Sequence, residues 1–152
     1  MMNREKDIRF MKLALEEATI AFAEGEVPVG SVLVIGDTVI TKAHNNREYS
    51  NDPIGHAELL ALKSGARETG NWRLSDATLY VTKEPCIMCA GAMVNARLGR
   101  LVYGCRDKKG GAVDSLYTLL TDQRLNHQVE VLSGVLEEEC AGILKRFFRE
   151  RR

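Results

Sequence analysis

Two short segments hold residues whose types and spacing could do chemistry: His56-Ala57-Glu58 and Pro85-Cys86-Ile87-Met88-Cys89. Zinc takes imidazole nitrogen and thiolate sulfur, and a catalytic zinc commonly keeps three protein ligands with the fourth position left for water. His56, Cys86 and Cys89 make such a set. A Cys-x-x-Cys spacing on the first turn of a helix puts both sulfurs on one face, and the positive end of that helix favours thiolates. Glu58 reads as a proton carrier rather than a ligand, since zinc lowers the pKa of a bound water to about 7 and a carboxylate beside it can relay the proton. His and Glu two residues apart diverge on a regular helix, so this pair converges only by straddling an irregular helix start.

By itself the Cys-x-x-Cys pair suits a redox couple or half of a structural zinc site equally well. The His-Ala-Glu segment tips the reading towards catalysis. A structural site closes with a fourth ligand, whereas Cys105 falls in a β-prone run and Cys140 on an apolar helix stripe, where buried inert thiols are usual. His44 and His127 stand alone and read as hydrogen-bonded surface or core residues. With no secretory signal in view, all four cysteines are expected to be reduced.

The elements that must position these residues are legible in outline. Apolar residues recur at helical spacing from Asp7 to Glu24, with Gly25 placed to end the helix. Val29–Ile35 and Thr38–Ala43 read as strands joined at Gly36-Asp37. A polar loop, Asn45–Gly55, delivers the chain to a second helix that begins at Ala57 and ends near Gly70. Ala77–Thr82 reads as a strand, and Pro85 is placed to open a third helix through Ala96. Arg100–Cys105 is a further strand, Arg106–Gly111 a loop, Ser115–Leu120 a short helix and Val129–Leu132 a fifth strand. Cys140, Ile143, Leu144, Phe147 and Phe148 mark a closing helix with one apolar face. With 152 residues and no linker or repeat, residues 1–152 form one α/β domain. Alternation of strands and helices after the hairpin makes that half of the sheet mostly parallel.

The charge balance is zero, 21 Lys and Arg against 21 Asp and Glu, which at face value disfavours a nucleic-acid partner. Its distribution reverses that. Residues 97–109 and 145–152 each carry five basic residues and one acidic, so two basic segments could meet beside the zinc pocket. The C-terminal segment sets Lys145, Arg146, Arg149, Arg151 and Arg152 around Phe147, read as core, and Phe148, read as more open. No apolar run is long enough to span a membrane, and Met1–Arg9 is charged, so a soluble, cytoplasmic protein is expected.

The run Glu84-Pro85-Cys86-Ile87-Met88-Cys89-Ala90-Gly91-Ala92 carries a family resemblance. So do Glu26-Val27-Pro28-Val29-Gly30, Asn45, Asp52-Pro53, His56-Ala57-Glu58, Asp76 to Thr82, Asn126-His127 and Phe147-Phe148-Arg149. Together, from about Phe10 to Arg152, they closely resemble the bacterial tRNA-specific adenosine deaminases. His-x-Glu with Pro-Cys-x-x-Cys marks the zinc deaminases as a whole; the other runs narrow the resemblance to the tRNA enzymes. It implies a three-layer α-β-α cytidine deaminase-like fold with a five-stranded mixed sheet. It also implies a homodimer and one Zn2+ per subunit, held by His56, Cys86 and Cys89 beside Glu58. The implied reaction converts wobble adenosine 34, flipped out of an arginine tRNA anticodon stem-loop, to inosine. By the same resemblance Asn45 would hydrogen-bond the base, and Val29, Pro28 and Gly30 would wall it. Asp107, Asn126, Phe148 and Arg149 would approach the anticodon loop. Segment Arg47–Asn51 receives no role. A superfamily deaminase of free guanine or cytidine would show a similar zinc site, and a non-catalytic zinc-stabilised RNA-binding module is a third reading, against which the intact Glu58 stands.

Overall fold

A computed structural model describes residues 4–151. Its elements run α1 (Arg4–Ala23), β1 (Gly30–Ile35), β2 (Thr38–His44), α2 (Ala57–Thr69), β3 (Ala77–Lys83), α3 (Ile87–Asn95), β4 (Arg100–Cys105), β5 (Glu130–Ser133) and α4 (Glu137–Glu150). One sheet in the order β2-β1-β3-β4-β5 forms the middle layer. β1 is antiparallel to both β2 and β3, whereas β3, β4 and β5 are parallel, so the sheet is mixed as expected.

Alternate side chains of each strand enter opposite layers. Leu33, Leu79, Val81, Leu101 and Tyr103 pack with α2 and α3 residues such as Ala61 and Met93. Val32, Val34, Tyr80 and Val102 pack on the other face with Phe10, Met11 and Ala14 of α1 and Cys140 of α4. Central strands buried on both faces need continuous apolar runs, which is why Leu101-Val102-Tyr103 lacks polar alternation. The outer layer is pinned by one polar contact: Asp7, 3% exposed, accepts two bonds from Arg100 at 2.9 and 2.8 Å and one from the Tyr80 hydroxyl at 2.7 Å.

Two local expectations need correction. Pro85 does not open the third helix; α3 begins at Ile87 with Cys86 as its N-cap in extended conformation. Ser115–Leu120 is not a helix, and only a 3-10 turn, Leu119–Thr121, forms there. The reason is a competing acceptor. The N–H groups of Val113, Asp114 and Ser115 all point at the carboxylate of Glu84, so this segment is shaped by a distant side chain rather than by its own ladder.

Candidate active site

The N-termini of α2 and α3 meet beside the C-terminal ends of β3 and β4, and a pocket of about 410 Å3 opens there. Crevices at the carboxyl ends of parallel strands are the usual ligand sites of α/β sheets. His56 is the N-cap of α2 (φ −88°, ψ 145°), so its side chain leaves before the helical path begins, while Glu58 sits within the first turn. Both line the pocket, as the irregular helix start requires. Cys86 caps α3 and Cys89 lies on its first turn, buried.

The three donors converge. His56 Nδ1 lies 3.6 Å from Cys86 Sγ and 3.4 Å from Cys89 Sγ. Tetrahedral zinc with bonds of about 2.3 Å to sulfur and about 2.0–2.1 Å to nitrogen would set sulfur and nitrogen about 3.6 Å apart. Both His56–sulfur distances therefore match those of a zinc site, and the two helix N-termini facing it favour anionic ligands. Groups this close share protons unequally. Cys86 is drawn down to about 3, chiefly by the hydrogen bond from Cys89 and then by His56, while Cys89 is pushed up. His56 is raised, first by its bond to Cys86.

Glu58 is 3% exposed, and burial pushes its carboxyl above the ordinary range; its own N–H, His56 and Lys83 only partly counter this. Asn45 follows β2, lines the pocket and accepts the Ala57 N–H on Oδ1 at 2.9 Å, a bond that occupies its oxygen and not its NH2 group. Two further glutamates in the wall were not singled out by sequence. Glu84 accepts N–H bonds from Asp107, Val113, Asp114 and Ser115 and a hydroxyl bond from Ser115. A Cβ at position 111 would come within 2.3 Å of the Glu84 carboxyl carbon, so only Gly111 allows the wrap. Glu26 similarly holds the N–H groups of Arg47, Glu48 and Tyr49. Neither carries a local sequence signal: Glu84 follows Thr82-Lys83 and Glu26 follows Glu24-Gly25, and the amides they hold lie 21 or more residues away.

The remaining expected residues divide. Val29 and Asp107 line the pocket, Asp107 paired with Lys83 at 3.2 Å. Pro28 is buried beside the pocket without lining it. Gly30 faces α1, since a Cβ there would lie 2.0 Å from the Ala14 carbonyl oxygen. Phe148 and Arg149 are exposed and outside the pocket; Phe147, buried, and Arg151 line it instead, with the Arg151 guanidinium 4.4 Å above the Phe147 ring. Asn126 is exposed, next to His127, whose ring bonds the Leu98 carbonyl at 2.7 Å. That is the N-terminal end of β4, about 20 Å along the strand from the pocket end. Arg97 and Arg100 share that far end, and Arg100 is committed to Asp7 and Glu130. The 97–109 segment is therefore not one basic surface beside the pocket; within it only the stretch after Cys105 reaches the pocket end. Arg152 lies outside the described residues.

A family profile of MafB19-like deaminases matches residues 5–152. The tRNA-specific adenosine deaminase of Bacillus subtilis is 52% identical over 147 residues, covering 97% of this chain and 91% of that protein. The protein of the same name in Haemophilus influenzae is 48% identical over 149 residues, covering 97% and 86%. A structure solved in a study of A-to-I editing by tRNA:A34 deaminases at the wobble position of transfer RNA superposes with TM-score 0.86. It is 44% identical, covering 90% of this chain and 99% of that one.

Proposed function

The chain belongs to the MafB19-like deaminases and, within them, to the tRNA-specific adenosine deaminases, and we propose that its pocket takes adenosine 34 of an arginine tRNA from the anticodon stem-loop. It is a hydrolytic enzyme that converts adenosine in tRNA to inosine. The observation that carries the site assignment is the His56–Cys86–Cys89 triangle set beside a buried glutamate in a pocket large enough to admit a nucleotide.

His56, Cys86 and Cys89 would hold one zinc per subunit, which when bound supplies a water acidic enough to act as nucleophile at neutral pH. The other roles fall to the chain itself. Asn45, oriented by the Ala57 N–H, donates its NH2 hydrogen to an acceptor nitrogen of the base. Val29 covers an apolar face of the ring. Glu58, whose burial raises its carboxyl above the ordinary value, takes a proton from the attacking water and gives it to the ring nitrogen, then takes the proton of the newly added hydroxyl and gives it to the departing amine, so that adenosine and water become inosine and ammonia. The phosphates flanking the base meet cations at the rim, Arg47, Lys83 and Arg151. A base in a loop is extruded more cheaply than one in a duplex, which fits a substrate in the anticodon loop.

Away from the pocket, Ile54 and Ile87 are 55% and 58% exposed and share a shallow apolar surface with Leu59, Met88 and Leu125. Such a face supports a homodimer built on the first turn of α3. Among the described residues no helix is long and apolar enough to cross a membrane, and we place the protein in the cytoplasm with its tRNA substrate.

The test offers zinc-loaded protein an adenosine-34 anticodon stem-loop, free guanine and free cytidine, and measures ammonia and inosine. Release from the stem-loop alone is expected. Release from guanine or cytidine with none from RNA would replace this reading with deamination of a free base or nucleoside.

A further inference from the structure

Segment 45–55 connects two pocket residues, Asn45 and His56, and contains no helix or strand, yet its backbone is tightly bonded. Glu26, 1% exposed, accepts the N–H groups of Arg47 and Glu48 on Oε1 at 2.9 and 3.1 Å and that of Tyr49 on Oε2 at 2.8 Å. The Asp52 N–H returns to the Arg47 carbonyl at 3.0 Å, and the Asn46 N–H to the Gly55 carbonyl at 2.8 Å. Burying a carboxylate is costly, and here both of its oxygens are spent on three successive amides of a polar loop. The effect is to fix the directions in which three neighbouring side chains leave the backbone. Arg47 and Glu48 line the pocket. Tyr49, the next residue, is 84% exposed, more than any other exposed large hydrophobic side chain described. It joins none of the aromatic pairs among the described residues, which link Phe10 to Tyr80 and Phe22, Phe147 and Phe148 to one another.

An exposed aromatic on a loose loop carries little, but one on a backbone clamped by a buried carboxylate, directly after two residues that line the pocket, is a pre-organised stacking surface. Extruding one base from an RNA loop uncovers the faces of its neighbours, and unpaired bases are recognised by stacking on such rings. Pre-organisation spares the binding step the cost of ordering the loop. We propose that Tyr49 stacks on the nucleobase next to the target adenosine, with Arg47 against the intervening phosphate and Glu26 as the positioning residue that holds both. This rests on the anticodon-loop reading above and adds a subsite to it.

The test compares zinc-loaded wild type, Tyr49→Ala, Tyr49→Phe and Glu26→Gln on adenosine-34 stem-loops, some carrying 2-aminopurine at the preceding or the following nucleotide. Tyr49→Ala is expected to raise KM about 5- to 100-fold, the range of one base–aromatic stack, with kcat within about twofold. Tyr49→Phe should restore KM. One of the two 2-aminopurine positions should be quenched on binding wild type and Tyr49→Phe, and not on binding Tyr49→Ala. Glu26→Gln should speed hydrogen exchange of amides 47–49 and weaken the quench. An unchanged KM in Tyr49→Ala, a failure of Phe to restore it, or the same quench without the ring would overturn the platform. Quenching needs no turnover. A wild type that quenches yet forms no inosine would therefore overturn the deaminase reading and leave the stacking subsite standing, while normal inosine formation without quenching would do the reverse.

Discussion

Glu58 and Glu84 line one pocket with Cys86, 3% and 2% exposed, and the fold shifts their carboxyls in opposite directions. Burial acts on both to raise the pKa. At Glu84 the hydrogen bonds from Ser115, Asp114, Asp107 and Val113 outweigh it, and the carboxyl is held below its ordinary value. Glu58 meets burial with little opposing it, so its carboxyl is raised. The difference lies in the donors. A carboxylate saturated with N–H groups is a fixed anion that shapes a loop, whereas one denied them can gain and lose a proton. Glu26, with its three amides, belongs with Glu84. Chemical identity and burial alone would not have told a catalytic glutamate from a structural one here.

The largest way to break this contrast is Glu84→Ala. It strands at least four N–H groups that now share one carboxylate, and a loss of about 3–5 kcal/mol in unfolding free energy is expected. Thermal unfolding should show a fall in Tm on the order of 10 °C; an unchanged Tm would mean that the loop does not depend on the clamp.

Acid should expose the same asymmetry on a smaller scale. Asp7, Glu26 and Glu84 have folded-state pKa values below their unfolded ones, burial in each being outweighed by Arg100 and Tyr80, by backbone amides, or by Ser115 and amides. Their contribution is fully present above the unfolded values of about 4 and is lost as the pH falls through them towards the depressed folded values. Urea midpoints at pH 7, 5 and 3 should therefore change little between the first two and fall steeply to the third. Glu26→Gln should flatten that fall, and an identical slope in the variant would remove Glu26 from the account.

The smallest effect has the opposite sign. Because Glu58 is raised, its ionisation at neutral pH opposes folding, so Glu58→Gln should stabilise the protein by about 0.5–2 kcal/mol, a common result when a functional site is relieved. Calorimetry showing the variant to be less stable would place Glu58 with the structural glutamates.

What was legible in the sequence follows from how local each interaction is. His56, Glu58, Cys86 and Cys89 could be read because each pair sits within one turn of a helix start, and short motifs record such geometry. Glu84 could not, since its partners lie 23 to 31 residues further along. The same bonds explain why Ser115–Leu120 reads as helical and is not. Arg100 counts as a free cation in a charge tally but is spent on Asp7, 93 residues away, so composition overstated the basic surface at the pocket. Strand alternation and the mixed five-stranded sheet came through well, because hydrophobic runs and the hairpin turn are themselves local signals.

We propose that Glu58, its burial only partly countered by donors and nearby cations, carries the proton in deamination while the His56–Cys86–Cys89 triangle forms independently of it. The most direct test is a single assay on Glu58→Gln, with zinc content and inosine from the adenosine-34 stem-loop measured on the same preparation. One zinc per subunit is expected, with turnover lower by about 10²- to 10⁴-fold, the usual worth of a general acid–base. A zinc-loaded Glu58→Gln protein that forms inosine at the wild-type rate would contradict this role for Glu58.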